Sequence, residues 1–424
     1  MVEPDTDLER ADDVPPRTLA PDEHGLSRRK ISEEALKVLQ RLHRSGHQAC
    51  LVGGSVRDLL LDRRPKDFDV ATDATPSQVR RLFRNSRVIG RRFRLVHVFF
   101  RGVIVEVSTF RGEPEVDPDT DDEHLVTDDN IFGTPRQDAF RRDFTVNALF
   151  YRIADGKIVD YVGGIEDLDE GLIRVIGDPD VRFREDPVRM LRACEMAGRL
   201  GFAIEDEAQK SIRRHATDLA KASPARMIEE LLSLLRCGAA APSLQWVWEV
   251  GLAPVLLPEL EDMLEAEHAG LGAFPKLMPL VDELTTGDDP SDSLLLSVLL
   301  VASFVVARQK REDKLERPLR RAEVRAVIES VVARLGDRFA LSHVRAKRTV
   351  ATLFVFSRLC EPPTGTPGAI RRVAEHGLFS DAVLLYRLLV RATGEGQENL
   401  DEWSRAARSA ARAPRRARRP RRRS

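Results

Sequence analysis

At 424 residues the chain exceeds one ordinary hydrophobic core, and roughly two to four domains are expected. Charged residues make up 32% and hydrophobic ones 42%, which suits a soluble globular protein. The formal net charge of −1 conceals segregation, because Arg405–Ser424 carries ten arginines and no acid, so the remainder is correspondingly acidic.

Three further classes are excluded by local pattern. The four cysteines (Cys50, Cys194, Cys237, Cys360) lack paired spacing, which argues against a disulfide framework or zinc cluster and for a reducing compartment. The acidic, polar start MVEPDTDLERADDVPP is unlike a secretory signal. The longest apolar run, Leu294–Ala307, reads as a buried core helix too short to span a bilayer, so no transmembrane segment is expected and the location is expected to be cytoplasmic.

In chain order, residues 1–27 are acidic, contain prolines, and read as disordered. Ile31, Ala35, Leu36, Leu39 and Leu42 then recur at helical spacing, with Ser32 as N-cap and Gly46 as stop. QACLV (48–52) reads as a buried strand, followed by Gly53-Gly54, a helix SVRDLLL and a strand DFDVAT. TPSQVRRLF is a helix capped by Thr75 with Pro76 in its first turn. FRLVHVFF and GVIVEVSTF follow as strands, and the acidic stretch 112–129 reads as a solvated loop. This mixture to about residue 165 predicts an α/β domain. Beyond it the strand signals fade into successive helical patterns, from EDPVRMLRACEMAGRL to DAVLLYRLLVRATG.

The pair Asp67 and Asp69 raises a chemical question. In a strand they project to one face, while Phe68 and Val70 go to the other. Carboxylates this close repel unless a cation lies between them or one takes up a proton. A strand, two glycines, a helix start and a downstream strand with i, i+2 carboxylates is an order suited to a nucleotide. Gly53 and Gly54 would let backbone approach phosphate oxygens, with the following helix start facing the anion. Asp67 and Asp69 would hold Mg²⁺, with Mn²⁺ as a substitute, because Mg²⁺ takes one or two carboxylates plus substrate phosphates. Two such ions can activate an attacking hydroxyl and stabilise leaving pyrophosphate. Glu106 is the only acid in GVIVEVSTF, and alternation groups it with Ile104 and Ser108, which makes it a candidate third metal-binding carboxylate on geometry.

LVGGSVRDLLL…KDFDVAT resembles the nucleotidyltransferase signature shared by bacterial poly(A) polymerases and class II tRNA CCA-adding enzymes. The likeness continues through RRDFTVNALFY (141–151), DYVGGIEDLDEGLIRVIGDP (160–179) and RFREDPVRMLRA (182–193), and covers roughly residues 28–235. It implies an α/β nucleotidyltransferase head related to DNA polymerase β, then an all-α neck and body and a disordered basic C-terminal tail. The corresponding divisions are 1–27 for the N-terminus, 28–165 for the head, 166–236 for a neck binding base and RNA, 237–403 for an RNA-binding body and 404–424 for the tail.

Carried over by position, the resemblance implies triphosphate contacts from Gly53, Gly54 and Arg57, and metal binding by Asp67 and Asp69. It further implies nucleotide binding by Arg142, and base-facing roles for Asp186 and Arg189 of the EDxxR element, with Arg192 following on the same helix face. Asp143 matches an acid treated as catalytic in the poly(A) polymerases, or it ties head to neck; resemblance favours Asp143 and geometry favours Glu106 as third carboxylate. Glu195 departs from the family, where a third arginine is common, and bears on nucleotide choice. The GRRFRLVHV segment (90–98) and the arginine-rich end resemble the poly(A) polymerases rather than the CCA-adding enzymes. The expected activity is template-independent transfer of AMP from ATP to 3′ ends of mRNA and other transcripts. The alternatives are CCA addition to tRNA and, more remotely, noncatalytic RNA binding.

Overall fold

A computed structural model describes residues 15–90, 94–112, 131–258, 274–287, 289–364 and 366–412. Residues 113–130, which hold nearly all of the acidic loop, and residues 413–424 of the basic end lie outside the described residues. The chain divides into two units, one of residues up to Ala193 with Leu200–His215, the other of Cys194–Arg199 with Ala216 onward. The expected neck, 166–236, is thus shared between them.

The first unit is built on eight strands: β1 (Arg17–Leu19), β2 (Ala49–Val52), β3 (Asp69–Thr72), β4 (Ser86–Ile89), β5 (Leu95–Phe100), β6 (Val103–Thr109), β7 (Leu149–Arg152) and β8 (Ile158–Asp160). They form one sheet in the order β1-β8-β7-β2-β3-β6-β5-β4. Every neighbouring pair is antiparallel except β3 and β6. β2 is buried throughout, consistent with its continuous apolar sequence. Cys50, Val52, Ala71, Phe110, Ala139, Phe150 and Val159 pack as a core on the face that also carries Asp69.

The expected local signals are present. Ser32 Oγ accepts from the Ala35 N–H at 3.1 Å and caps helix Glu33–Arg44, and Gly46 follows at φ +86°. Thr75 and Gln78 form a reciprocal capping box on helix Pro76–Leu82. Asp67 lies just before β3 rather than within it, and β1, β4, β7 and β8 are strands absent from the sequence reading.

Two boundaries need correction. Residues 15–27 do not continue a disordered leader, because β1 pairs with β8 and the His24 ring bonds the Gly156 carbonyl at 2.9 Å. An edge strand needs only backbone pairing along one side, a demand that acidic, polar composition does not veto. At the other end, helix Gln397–Arg412 carries the chain nine residues past the expected end of the body at 403. Its RAARSAAR sequence is rich in two of the best helix formers, Ala and Arg. Trp403 anchors the helix by burying its ring and donating its indole N–H to the Glu361 carbonyl at 2.8 Å.

The second unit is helical, from Pro224–Arg236 to Gln397–Arg412. Its helix Asp292–Leu315 is longer than the apolar run suggests, and length and composition alone would let it cross a membrane. Yet 67% of its apolar window is buried inside the protein, the mark of a core helix. Ser291 caps it by accepting from the Leu294 N–H at 3.2 Å.

Candidate active site

Gly53 ends β2 and caps helix Gly54–Leu60 with φ +71° and ψ −145°, a conformation closed to residues with a side chain. A Cβ built there would lie 3.7 Å from Asp69 Oδ2 and 3.4 Å from Arg142 Nη1. The missing side chain therefore keeps backbone, carboxylate and guanidinium within one small space.

The parallel register of β3 and β6 sets Asp69 directly beside Glu106. Across the next pairing Glu106 faces His97, whose Nε2 lies 3.1 Å from Glu106 Oε1. Asp67 is exposed, two residues upstream. Burial, followed by the nearby Glu106 charge and, more weakly, Asp67, pushes the Asp69 carboxyl up to about 6 against the pull of Arg142. Among the described residues no three His, Cys, Asp or Glu side chains form a preformed metal cage. A pair of close, under-neutralised carboxylates is instead what Mg²⁺ uses when phosphates complete its shell.

Arg142 is fixed by a residue the sequence reading missed. Asp138, one helical turn earlier, is buried and accepts from Arg142 Nη2 at 2.8 Å. Arg111 reaches the other Asp138 oxygen at 3.4 Å, and the Arg142 guanidinium lies 5.3 Å from the Phe150 ring centre. Burial raises the Asp138 carboxyl, but the two arginines outweigh it and hold it below the ordinary range. The available signal was the i, i+4 Asp–Arg spacing, which starts in the helix Pro135–Phe140 capped by Thr134 and Gln137 and ends just past its C-cap Arg141.

Other expected residues are engaged within the fold. Arg57 is buried, donating from Nε and Nη2 to Asp58 at 2.9 and 2.7 Å and from Nη1 to the Asn147 side chain. Gly54 leaves it room, since a Cβ there would lie 3.1 Å from Arg57 Nη2. Asp143 pairs with Arg192 at 2.6 Å and accepts from Asn147 Nδ2 at 3.2 Å and the Phe144 N–H at 2.9 Å. Burial raises its carboxyl, yet Arg192 and these donors hold it low. Arg189 donates to the Arg182 carbonyl at 2.8 Å and pairs with Glu185 at 2.9 Å. Asp186 sits at the junction between helices Pro179–Glu185 and Val188–Leu200. Glu195, in the second unit, accepts from Ser233 Oγ at 3.2 Å.

A glycine turn, adjoining strand carboxylates and an anchored arginine on a mixed sheet define a nucleotidyltransferase head. Residues 49–174 match the family described as "Poly A polymerase head domain", and residues 201–264 match "Probable RNA and SrmB- binding site of polymerase A". Poly(A) polymerase I of Salmonella typhi is 50% identical over 263 residues, 60% of this chain and 57% of that protein. The CCA-adding enzyme of Bacillus subtilis is 38% identical over 216 residues, 51% of this chain and 53% of that one. The crystal structure of Bacillus stearothermophilus CCA-adding enzyme in complex with CTP aligns with TM-score 0.62 at 27% identity, covering 89% of this chain and 82% of that one. The chain thus spans little more than half the length of the curated relatives described.

Proposed function

We propose that this protein adds AMP units from ATP to RNA 3′ ends without a template, releasing pyrophosphate. The observation that carries the reading is the Asp69–Glu106 pair beside Gly53 and Arg142. The 50% identity to a poly(A) polymerase I, against 38% to a CCA-adding enzyme, favours polyadenylation over CCA addition.

Asp69, Asp67 and Glu106 are the residues that would hold divalent ions, Mg²⁺ or Mn²⁺. Bound there, such ions supply Lewis acidity that activates the attacking hydroxyl and neutralises the leaving pyrophosphate. Glu106 fits this role better than Asp143, whose charge is already met by Arg192. Gly53 leaves the nucleotide's phosphates a side-chain-free approach. Arg142, oriented by Asp138, offers a fixed guanidinium to the triphosphate. Asp143 orients Arg192, whose partly exposed side chain would meet the base at its outer edge. Protein of this kind is expected in the cytoplasm, where ATP and transcripts coexist.

CCA addition is the second reading, favoured by the fold likeness to an enzyme solved with CTP. Labelled ATP and CTP, each offered with an unstructured RNA and with a tRNA lacking its CCA end, separate the two. Processive ATP incorporation on both RNAs supports polyadenylation. CTP incorporation confined to tRNA overturns it.

A further inference from the structure

The sheet carries an open surface beside the carboxylates that nothing above uses. On β5, His97 and Phe99 alternate onto the same face as Glu106, and Phe99 stands opposite Ile104. On β4, Arg87 stands opposite His97 and Ile89 opposite Leu95. Phe99 is 40% exposed, Ile104 48% and Ile89 37%. Arg87 is exposed and makes no ion pair among the described residues. The Phe99 ring meets the His97 ring edge-on, 6.3 Å between centroids. An aromatic and two aliphatic side chains with a spare cation are thus continuous with Glu106 through His97.

Strand order assigns this surface a direction. The glycine turn and Arg142 flank Asp69 from the β2 side, whereas β5 and β4 extend away beyond Glu106. Phosphoryl transfer is in line, with the attacking oxygen opposite the leaving group. With the pyrophosphate held on the β2 side, the RNA 3′-hydroxyl has to approach over β6 and β5.

We propose that the outer face of β4–β6, centred on Phe99 with Ile104, Ile89 and Arg87, is the platform that docks the 3′-terminal nucleotides of the RNA. Phe99 offers a ring for a base to stack on without regard to its identity, and Arg87 a cation for a nearby phosphate. His97 braces Glu106 at the boundary between platform and reacting atoms. The inference rests on the nucleotidyl-transfer reading.

The test uses the full chain and an unstructured RNA ending in 2-aminopurine, with Phe99→Ala, Phe99→Trp and Arg87→Ala variants. Phe99→Ala is expected to raise the RNA KM about tenfold, the scale of one lost stack, while the ATP KM stays within about twofold. It should also abolish fluorescence quenching of the terminal base, and Phe99→Trp should restore both readouts. Arg87→Ala should reduce the slope of log affinity against log salt by about one unit. Unchanged RNA KM and quenching in a Phe99→Ala protein with wild-type melting overturn the platform, as does conversion of an oligomer to monomer with RNA binding intact. If the wild-type chain incorporates no nucleotide, the reading itself fails. If it incorporates and Phe99→Ala matches it, only the platform fails.

Discussion

The head holds two sets of carboxylates with opposite electrostatics. Asp138 and Asp143 each meet a guanidinium directly, and both sit below the ordinary carboxylate range despite burial. Asp69, on the same sheet face as the core, has another carboxylate as its strand neighbour and is pushed up to about 6. The first set is complete within the protein and does positional work on Arg142 and Arg192. The second is unfinished: the pull of Arg142 does not offset burial and the Glu106 charge, and a proton or a cation brought from outside would relieve the remainder. On the proposed reading, structural acids and metal-binding acids are told apart by whether the chain supplies the counter-charge.

Substitution should drive the two sets in opposite directions. Asp69→Asn is expected to lower ATP incorporation by roughly a thousandfold or more, the scale of a lost transition-state ligand, while its metal-free melting temperature holds or rises. Rapid incorporation by a well-folded Asp69→Asn protein would remove this residue from the active site. Asp138→Asn should instead cost about 2–4 kcal/mol in denaturant unfolding, because it strands Arg142 and Arg111 without their buried partner. It should also raise the ATP KM, since Arg142 loses its anchor.

Titration in EDTA sharpens the same contrast. For Asp69 the folded value of about 6 exceeds the ordinary 3.8, so its contribution is fullest below 3.8 and is lost as pH rises through 6. At 1.36 kcal/mol per unit this amounts to at most about 3 kcal/mol. The contributions of Asp138 and Asp143 run the other way, present above the ordinary value and lost as pH falls through their lowered ones. Calorimetric melts should therefore gain stability on going from pH 7 to 5, then lose it below pH 4. Asp69→Asn should erase only the first limb, and Mg²⁺ added at pH 7 should raise the wild-type melting temperature but not that of the mutant.

The smallest expected effect lies at the C-terminus. Removing residues 413–424, with their seven arginines, leaves the Trp403 anchor untouched and should leave the melting temperature unchanged. RNA affinity should fall and its salt dependence become shallower if these charges grip phosphates. An identical salt slope would assign the arginines elsewhere.

The local parts of this architecture were legible because they depend on neighbours in sequence. Ser32, Thr75-Pro76 and the Gly53-Gly54 turn act through bonds that span one to three residues. Alternation also placed Glu106 on a definite face of β6. It could not place Asp69 next to it, since that requires the parallel register of two strands separated by β4 and β5. The meaning of Asp143 depended likewise on Arg192, distant in sequence, and that of Arg57 on Asn147. Composition misled at both ends, where β1 gains its order from β8 and RAARSAAR reads equally as a low-complexity tail or as helix.

The β3–β6 register has a consequence for the fidelity of folding. Val105 and Val107 flank Glu106 and point to the opposite, fully buried side of the sheet. A slip of β6 by one residue would turn both valines outward and drive Glu106 into the apolar layer beneath. Exposing the two valines alone would forfeit on the order of 3–6 kcal/mol, before any cost of burying the acid. Two side chains buried on the far face of the sheet thus act as a proofreading device for assembly, rejecting the misaligned sheet in which Glu106 would face away from Asp69.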